Sequence, residues 1–267
     1  MGKLPNENVW PSARRLVPML KHFSLRSGRI CHRAIAVAHR SVRAVAPFAM
    51  IALASASTGA TDVDAIAALK PDFENGLYVF QLCADCHTPQ GWGLVDGSVP
   101  MLSGQHRRVL IKQLADIRQG QRHNDAMFSF AQDDAVGGEQ SIADVSDYIS
   151  KLLMHPSPGV GPGFDLERAE VLYAENCASC HGPNGEGDDR LLYPRVQGQH
   201  FGYLVRQMNH MVNGKRRNSD PRMVEALRRV TPVERELLAD FMARTPPDPA
   251  LVAPPDWENP DFNFGIQ

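Results

Sequence analysis

The sequence predicts an all-α chain built from two tandem copies of one helical unit, and three observations carry that reading. The string CADCH at Cys83–His87 returns as CASCH at Cys177–His181, ninety-four residues later. At the same offset Pro100 falls on Pro194, Gly104-Gln105-His106 on Gly198-Gln199-His200, and Leu110, Gln113 and Gly120 on Leu204, Gln207 and Gly214, which marks a duplicated structural unit. Apolar residues recur at helical spacing, and no stretch alternates with the period of two that a half-buried strand needs.

Residues 1–60 read as an export presequence. They hold nine Lys/Arg against one acid, Glu7, then the apolar run AVAPFAMIALA at Ala44–Ala54, then small residues with an A-x-A cleavage pattern at Ala54-Ser55-Ala56. The run is shorter than the ~20 residues of a comfortable membrane span. The basic region is unusually long, so an uncleaved N-terminal anchor is the alternative. Either way the rest of the chain is exported, which places it in the periplasm with membrane contact at most peripheral or through that N-terminus.

The first unit covers 63–155. A helix is expected over Asp72–Leu82, a second over His106–Gly120 with Val109, Leu110, Gln113, Leu114 and Ile117 near one face, and a third over Ser141–Leu153. Residues 156–163, within the string HPSPGVGPG, form a linker. The second unit, 164–246, repeats the plan. It has Asp165–Asn176 with Asp165 as N-cap, Tyr203–Gly214 ending on a glycine cap, and Thr231–Ala243 with Thr231 capping and Pro232 in the first helical position. Residues 247–267 are a Pro-rich acidic tail carrying Trp257, Phe262 and Phe264. It either straps a partner or wraps its own domain.

With 43 % hydrophobic and 22 % charged residues the 267-residue chain can build ordinary cores. Its net charge of −2 averages two unlike parts, because residues 61–267 hold 19 basic and 29 acidic side chains. An acidic body argues against nucleic acid as a partner.

Cys31 lies in the presequence, and the other four cysteines all sit in the two motifs. Zinc binding would need the two Cys pairs to converge and gives no reason for a histidine after each. A thioredoxin-like site needs a βαβ setting that the pattern lacks. A disulfide between cysteines three apart is geometrically poor. Cys-x-x-Cys-His is the spacing of covalent haem c attachment, in which two thiols take the vinyl groups and the histidine is carried under the iron. Cys83, Cys86, Cys177 and Cys180 are thus expected to hold two haem c groups, with His87 and His181 as proximal iron ligands.

The opposite axial position separates electron transfer from chemistry on the iron. A soft thioether suits it, since methionine favours reduced iron and raises the potential. Met127 lies 40 residues after His87 and Met223 42 residues after His181. Each follows a polar, turn-prone string, RHNDAM or NSDPRM, and precedes the last helix of its unit. Met208 and Met211 have core spacing within a helix, Met101 has no counterpart, and Met154 and Met242 end last helices. His123 and His210 are not equivalent positions.

These residues, CADCH, CASCH, the paired P-x-x-x-G-Q-H strings and Met127 and Met223, resemble the tandem di-haem class I cytochromes c of the cytochrome c4 type over about residues 70–245. The resemblance implies two class I cytochrome c domains, each wrapped around one haem, packed across a pseudo-twofold interface and passing electrons in the periplasm. It departs in the long acidic loop FSFAQDDAVGGEQ after Met127, where the second unit has VEALRRV, and in Lys215–Arg217 before Met223. Two different potentials are expected from such unlike surroundings.

The leading expectation is an electron carrier, not an enzyme, exchanging single electrons with redox proteins such as a dehydrogenase, a quinol-oxidising complex or a terminal oxidase. A dedicated subunit of a larger dehydrogenase or oxidase complex is the alternative. A di-haem peroxidase or thiosulfate dehydrogenase, which needs an open iron, is the least favoured because each unit offers a methionine.

Overall fold

A computed structural model describes residues 62–262. The presequence with its apolar run and cleavage pattern, Cys31 and Phe264 all lie outside the described residues. The first half contains helices α1 (Val63–Ala68), α2 (Phe73–His87), α3 (Arg107–Arg118), α4 (Asp125–Phe128) and α5 (Glu139–Lys151). The second half contains α6 (Leu166–Asn176), α7 (Ala178–His181), α8 (Phe201–Val212), α9 (Pro221–Arg229) and α10 (Pro232–Arg244). Only isolated bridges and no sheet occur among the described residues.

Each half packs its first long helix across its last. Val79 and Phe80 of α2 meet Ile142, Val145, Tyr148 and Ile149 of α5, while Leu172 and Tyr173 of α6 meet Leu238, Ala239 and Met242 of α10. Gly76 permits the first crossing, because a Cβ there would lie 2.6 Å from the Asp144 carbonyl oxygen. A buried carboxylate fastens each crossing. Asp144 accepts from the Asp72 amide (2.8 Å) and Asn75 Nδ2 (2.7 Å), and Asp240 accepts from the amides of Gly161 (2.8 Å) and Gly163 (2.6 Å).

Several expected elements differ in extent. The first motif helix does not stop at Leu82 but runs through to His87, capped by the Asp72 carboxylate. Its second copy breaks at Cys177. The string NSDPRM is not a turn: Asp220 caps and Pro221 opens α9, so Met223 stands inside a helix. Thr231 and Glu234 form a full capping box on α10.

The two halves meet around a pseudo-twofold relation that repeats several of the central contacts. His106 bonds the Glu186 carbonyl and His200 the Trp92 carbonyl, both at 2.7 Å. This is why neither histidine side chain caps the helix it precedes. On the same axis Arg122 and Arg216 share Gln113 and Gln207 (2.9–3.3 Å), and Arg122 also reaches the Tyr203 hydroxyl at 2.7 Å.

The C-terminal segment crosses back to the first half. Met154 exchanges backbone bonds with Leu251 and Ala253. Trp257 packs 5.9 Å from Trp92, buried Asn259 donates to the Pro89 carbonyl and to Tyr148, and Phe262 stands edge-on to Phe80. The tail thus wraps its own chain.

Truncation after Pro246 should destabilise the first half by about 3 kcal/mol, the scale of two aromatic side chains removed from a core. The check is protease sensitivity of each half, with the second half expected to be unchanged. A second expectation concerns pH. Fully buried His200 accepts from the Gly159 amide (3.0 Å), a role only a neutral ring can fill, and burial pushes its pKa below the ordinary value. The unfolded chain then takes up the proton first, so stability should fall as pH drops below about 6.5 and level off under the lowered folded value. Denaturant midpoints between about pH 7.5 and 5.5 should show a shallower slope for His200→Gln.

Candidate haem centres

Both proximal histidines end helices and are buried, at 4 % exposure for His87 and 7 % for His181. His87 Nδ1 lies 2.9 Å from the Pro100 carbonyl oxygen and His181 Nδ1 lies 3.0 Å from that of Pro194. A carbonyl only accepts, so Nδ1 carries the proton and Nε2 keeps the lone pair that a metal needs. Burial holds both rings below the ordinary imidazole pKa and therefore neutral, with the carbonyl bond pulling the other way. The paired prolines of the repeat thus have a chemical use that sequence reading noted but did not assign.

Local backbone puts those carbonyls in place. Gly93 donates to the His87 carbonyl (2.8 Å) and Gly187 to that of His181 (2.7 Å). Gly93 has φ +68°, and a Cβ there would come within 2.5 Å of the Pro100 oxygen. The chain leaves α2 through Thr88 at φ +67°, ψ 157°, a region that glycine occupies easily and other residues do not. The second copy has Gly182 at the equivalent point, with φ +80°.

Cys83, Cys177 and Cys180 are half-buried, Cys86 is exposed, and none is in a disulfide. Burial pushes the Cys83 thiol up to about 12 and the Cys177 thiol up to about 11 when they carry no haem. Met127 sits on α4, capped by Asn124, and Met223 on α9, packed against the second core. Both methionines are half-buried. The rival sulfurs are committed elsewhere. Met154, Met208 and Met242 are buried in packing, and buried Met101 accepts from the His155 amide through Sδ (3.4 Å). His123 is exposed beside Asp125.

Among the described residues no three His, Cys, Asp or Glu side chains gather to hold a bare ion. The donor set fits a haem c group: a neutral imidazole with a free Nε2 beside two thiols, in each half. It fits the carboxylates of a haem as well. Arg122 is 8 % exposed, Arg216 has a buried Nε without a partner, and neither makes an ion pair with a described carboxylate. Asp116 is bound by Lys112 and Asn218 instead. Burial, with Arg122 alongside, pushes Arg216 down to about 9. Arg122 is buried and Arg216 half-buried, and Asp116 offsets part of the Arg216 charge from beyond ion-pair distance. A cavity of about 540 Å³ lined by Pro100, Arg122, Tyr203, Arg206, His210 and Lys215 opens beside them. Arg216 was read from the sequence only as part of the Lys215–Arg217 run, and its pairing with Arg122 was missed, although the two are ninety-four residues apart like the motifs.

The cytochrome c family profile matches residues 166–245. The chain is 31 % identical to cytochrome c4 of Azotobacter vinelandii over 157 residues, covering 54 % of this chain and 73 % of that one. The chain belongs to the cytochrome c4 family. It is a di-haem electron-transfer cytochrome with class I cytochrome c folds and covalently bound haem c. It is also 30 % identical to the thiosulfate dehydrogenase electron acceptor of Stutzerimonas stutzeri strain A1501, over 60 % of this chain and 77 % of that one. The structure of reduced cytochrome c4 from Pseudomonas stutzeri superposes with a TM-score of 0.58 at 26 % identity, spanning 65 % of this chain and 98 % of the other. No helix among the described residues is long and apolar enough to cross a membrane.

Thr88→Gly should relieve the strained exit from the first haem motif. We expect about 1 kcal/mol of added stability, read from denaturant unfolding, if strain outweighs the lost bond from the Trp92 amide to Thr88 Oγ1 (3.2 Å).

Proposed function

We propose that this cytochrome is a periplasmic carrier that passes single electrons between redox proteins through two six-coordinate haems. Cys83 and Cys86 tether the first, with His87 and Met127 as axial ligands. Cys177 and Cys180 tether the second, with His181 and Met223. The domains extend over 63–155 and 164–246, joined by the 156–163 linker, and the presequence at 1–60 delivers them to the periplasm. The observation that carries this reading is the pair of buried, neutral imidazoles whose Nδ1 atoms are fixed on proline carbonyls.

Bound haem supplies a metal that cycles between ferric and ferrous states. The protein's part is to hold the imidazoles in one tautomer, keep water from the iron, and offset the carboxylate charge with Arg122 and Arg216. Met127 and Met223 would each supply a thioether to an iron, which would leave no open position for a substrate and argues for a carrier over a peroxidase or dehydrogenase.

Docking follows the charge distribution. Residues 63–155 hold 7 basic and 12 acidic side chains, and the tail adds four acids, whereas 164–246 holds 12 of each. The first half, with exposed Phe128 and Phe130 beside Met127, suits a partner bearing a basic patch, and its association should slow as salt rises. The likeness to a thiosulfate dehydrogenase electron acceptor supports a second reading, service as the dedicated acceptor of one dehydrogenase.

Spectra of both redox states test the ligand assignment. Two low-spin haems are expected, with the methionine–iron charge-transfer band lost from one haem in Met127→Ala and from the other in Met223→Ala. A high-spin fraction in the wild type, or carbon monoxide binding to its reduced form, would mean an open iron and an enzyme.

A further inference from the structure

The loop that fixes each proximal histidine is held by the opposite half of the molecule. Pro100 supplies the carbonyl for His87, and the next residue, Met101, is clamped by Gln199: its amide donates to Gln199 Oε1 (3.0 Å) and its carbonyl accepts from Gln199 Nε2 (2.8 Å). The mirror arrangement holds Arg195, the residue after Pro194, whose amide donates to Gln105 Oε1 (2.9 Å) and whose carbonyl accepts from Gln105 Nε2 (3.0 Å). Gln199 is 8 % exposed and both its bonds to Met101 are buried, so no water competes for them. Each glutamine also takes the amide of its own following histidine on the same Oε1, which leaves the amide group no other orientation.

We propose that Gln199 is a positioning residue for the haem ligated through His87, and Gln105 for the haem ligated through His181, so that each half sets the potential of the other half's haem. The inference rests on the ligand assignment above. The chain of contacts is short: glutamine to the loop residue, one peptide to the proline carbonyl, and that carbonyl to imidazole Nδ1. A firm Nδ1–H···O=C bond makes the ring a more basic donor, and a more basic donor favours ferric iron. Loosening the loop weakens that bond and should raise the potential.

The test uses the full di-haem protein, with the two haem signals assigned through Met127→Ala and Met223→Ala. Gln199→Leu is expected to raise the potential of the His87 haem and shift its methionine–iron band while leaving the His181 haem unchanged. Gln105→Leu should do the reverse. If a leucine variant does not mature, Gln199→Met removes both bonds to Met101 at similar volume and adds no charge, and the same haem must respond. Faster hydrogen exchange at the Met101 amide in Gln199→Leu, and at the Arg195 amide in Gln105→Leu, gives an independent readout. The proposal is overturned if each variant shifts the haem of its own half, both haems equally, or neither. A wild-type protein without two methionine–iron bands would instead sink the ligand assignment, so the two failures are distinct.

Discussion

One hydrogen bond, proline carbonyl to imidazole Nδ1, conditions much of this structure. It selects the tautomer, and with burial it keeps the ring neutral. The first motif helix must run on to its histidine so that the ring meets that carbonyl. The following turn must reverse at once, which forces Thr88 or Gly182 to a positive φ. Glycine at 93 keeps the proline oxygen reachable, because any side chain there would collide with it. Each of these constraints raises a local cost that a free helix would not carry; the positive φ and the imidazole bond recur in both halves, whereas the motif helix is continuous in the first and broken at Cys177 in the second.

Duplication then explains the interface. A self-complementary contact between two copies places every residue against its own counterpart or repeats each pair. The histidines and glutamines of the G-Q-H strings use this well, since each has both donors and acceptors to offer across the axis. Arginine does not: the same symmetry sets Arg122 against Arg216, with only neutral glutamines and a tyrosine between them. The pair depresses even the Tyr203 phenol against the upward push of burial. Asp116 offsets part of that charge, and the carboxylates of two haems would suit the rest.

The repeat made much of this legible in the sequence. The motifs, the three main helices of each unit and the capping residues of α6 and α10 were readable because local chemistry determines them. Met223 is a candidate through its distance from the motif, yet its helix was missed because Ser219-Asp220-Pro221 looks like a turn and acts as an N-cap followed by proline. The roles of Pro100, Gln105 and Gln199 were visible only as coincidences at one offset. Their meaning depends on contacts some ninety residues apart, which no local pattern encodes.

The symmetry is broken chiefly by one segment. The tail lays Trp257, Asn259 and Phe262 over the α2–α5 crossing, where Phe80, Trp92 and Tyr148 receive it. At the repeat offset Phe80 and Trp92 fall on Ala174 and Glu186, which cannot offer the same aromatic bed. Phe164, Val171 and Val233 in the second half stay exposed. The tail is also wholly acidic among its charged residues, so the same contact that completes the first core deepens the charge difference between the halves. A duplicated molecule would present two equivalent faces to its partners. Covering and charging one of them leaves the two halves with unlike surfaces, aromatic-capped and acidic on the first and with exposed apolar side chains on the second.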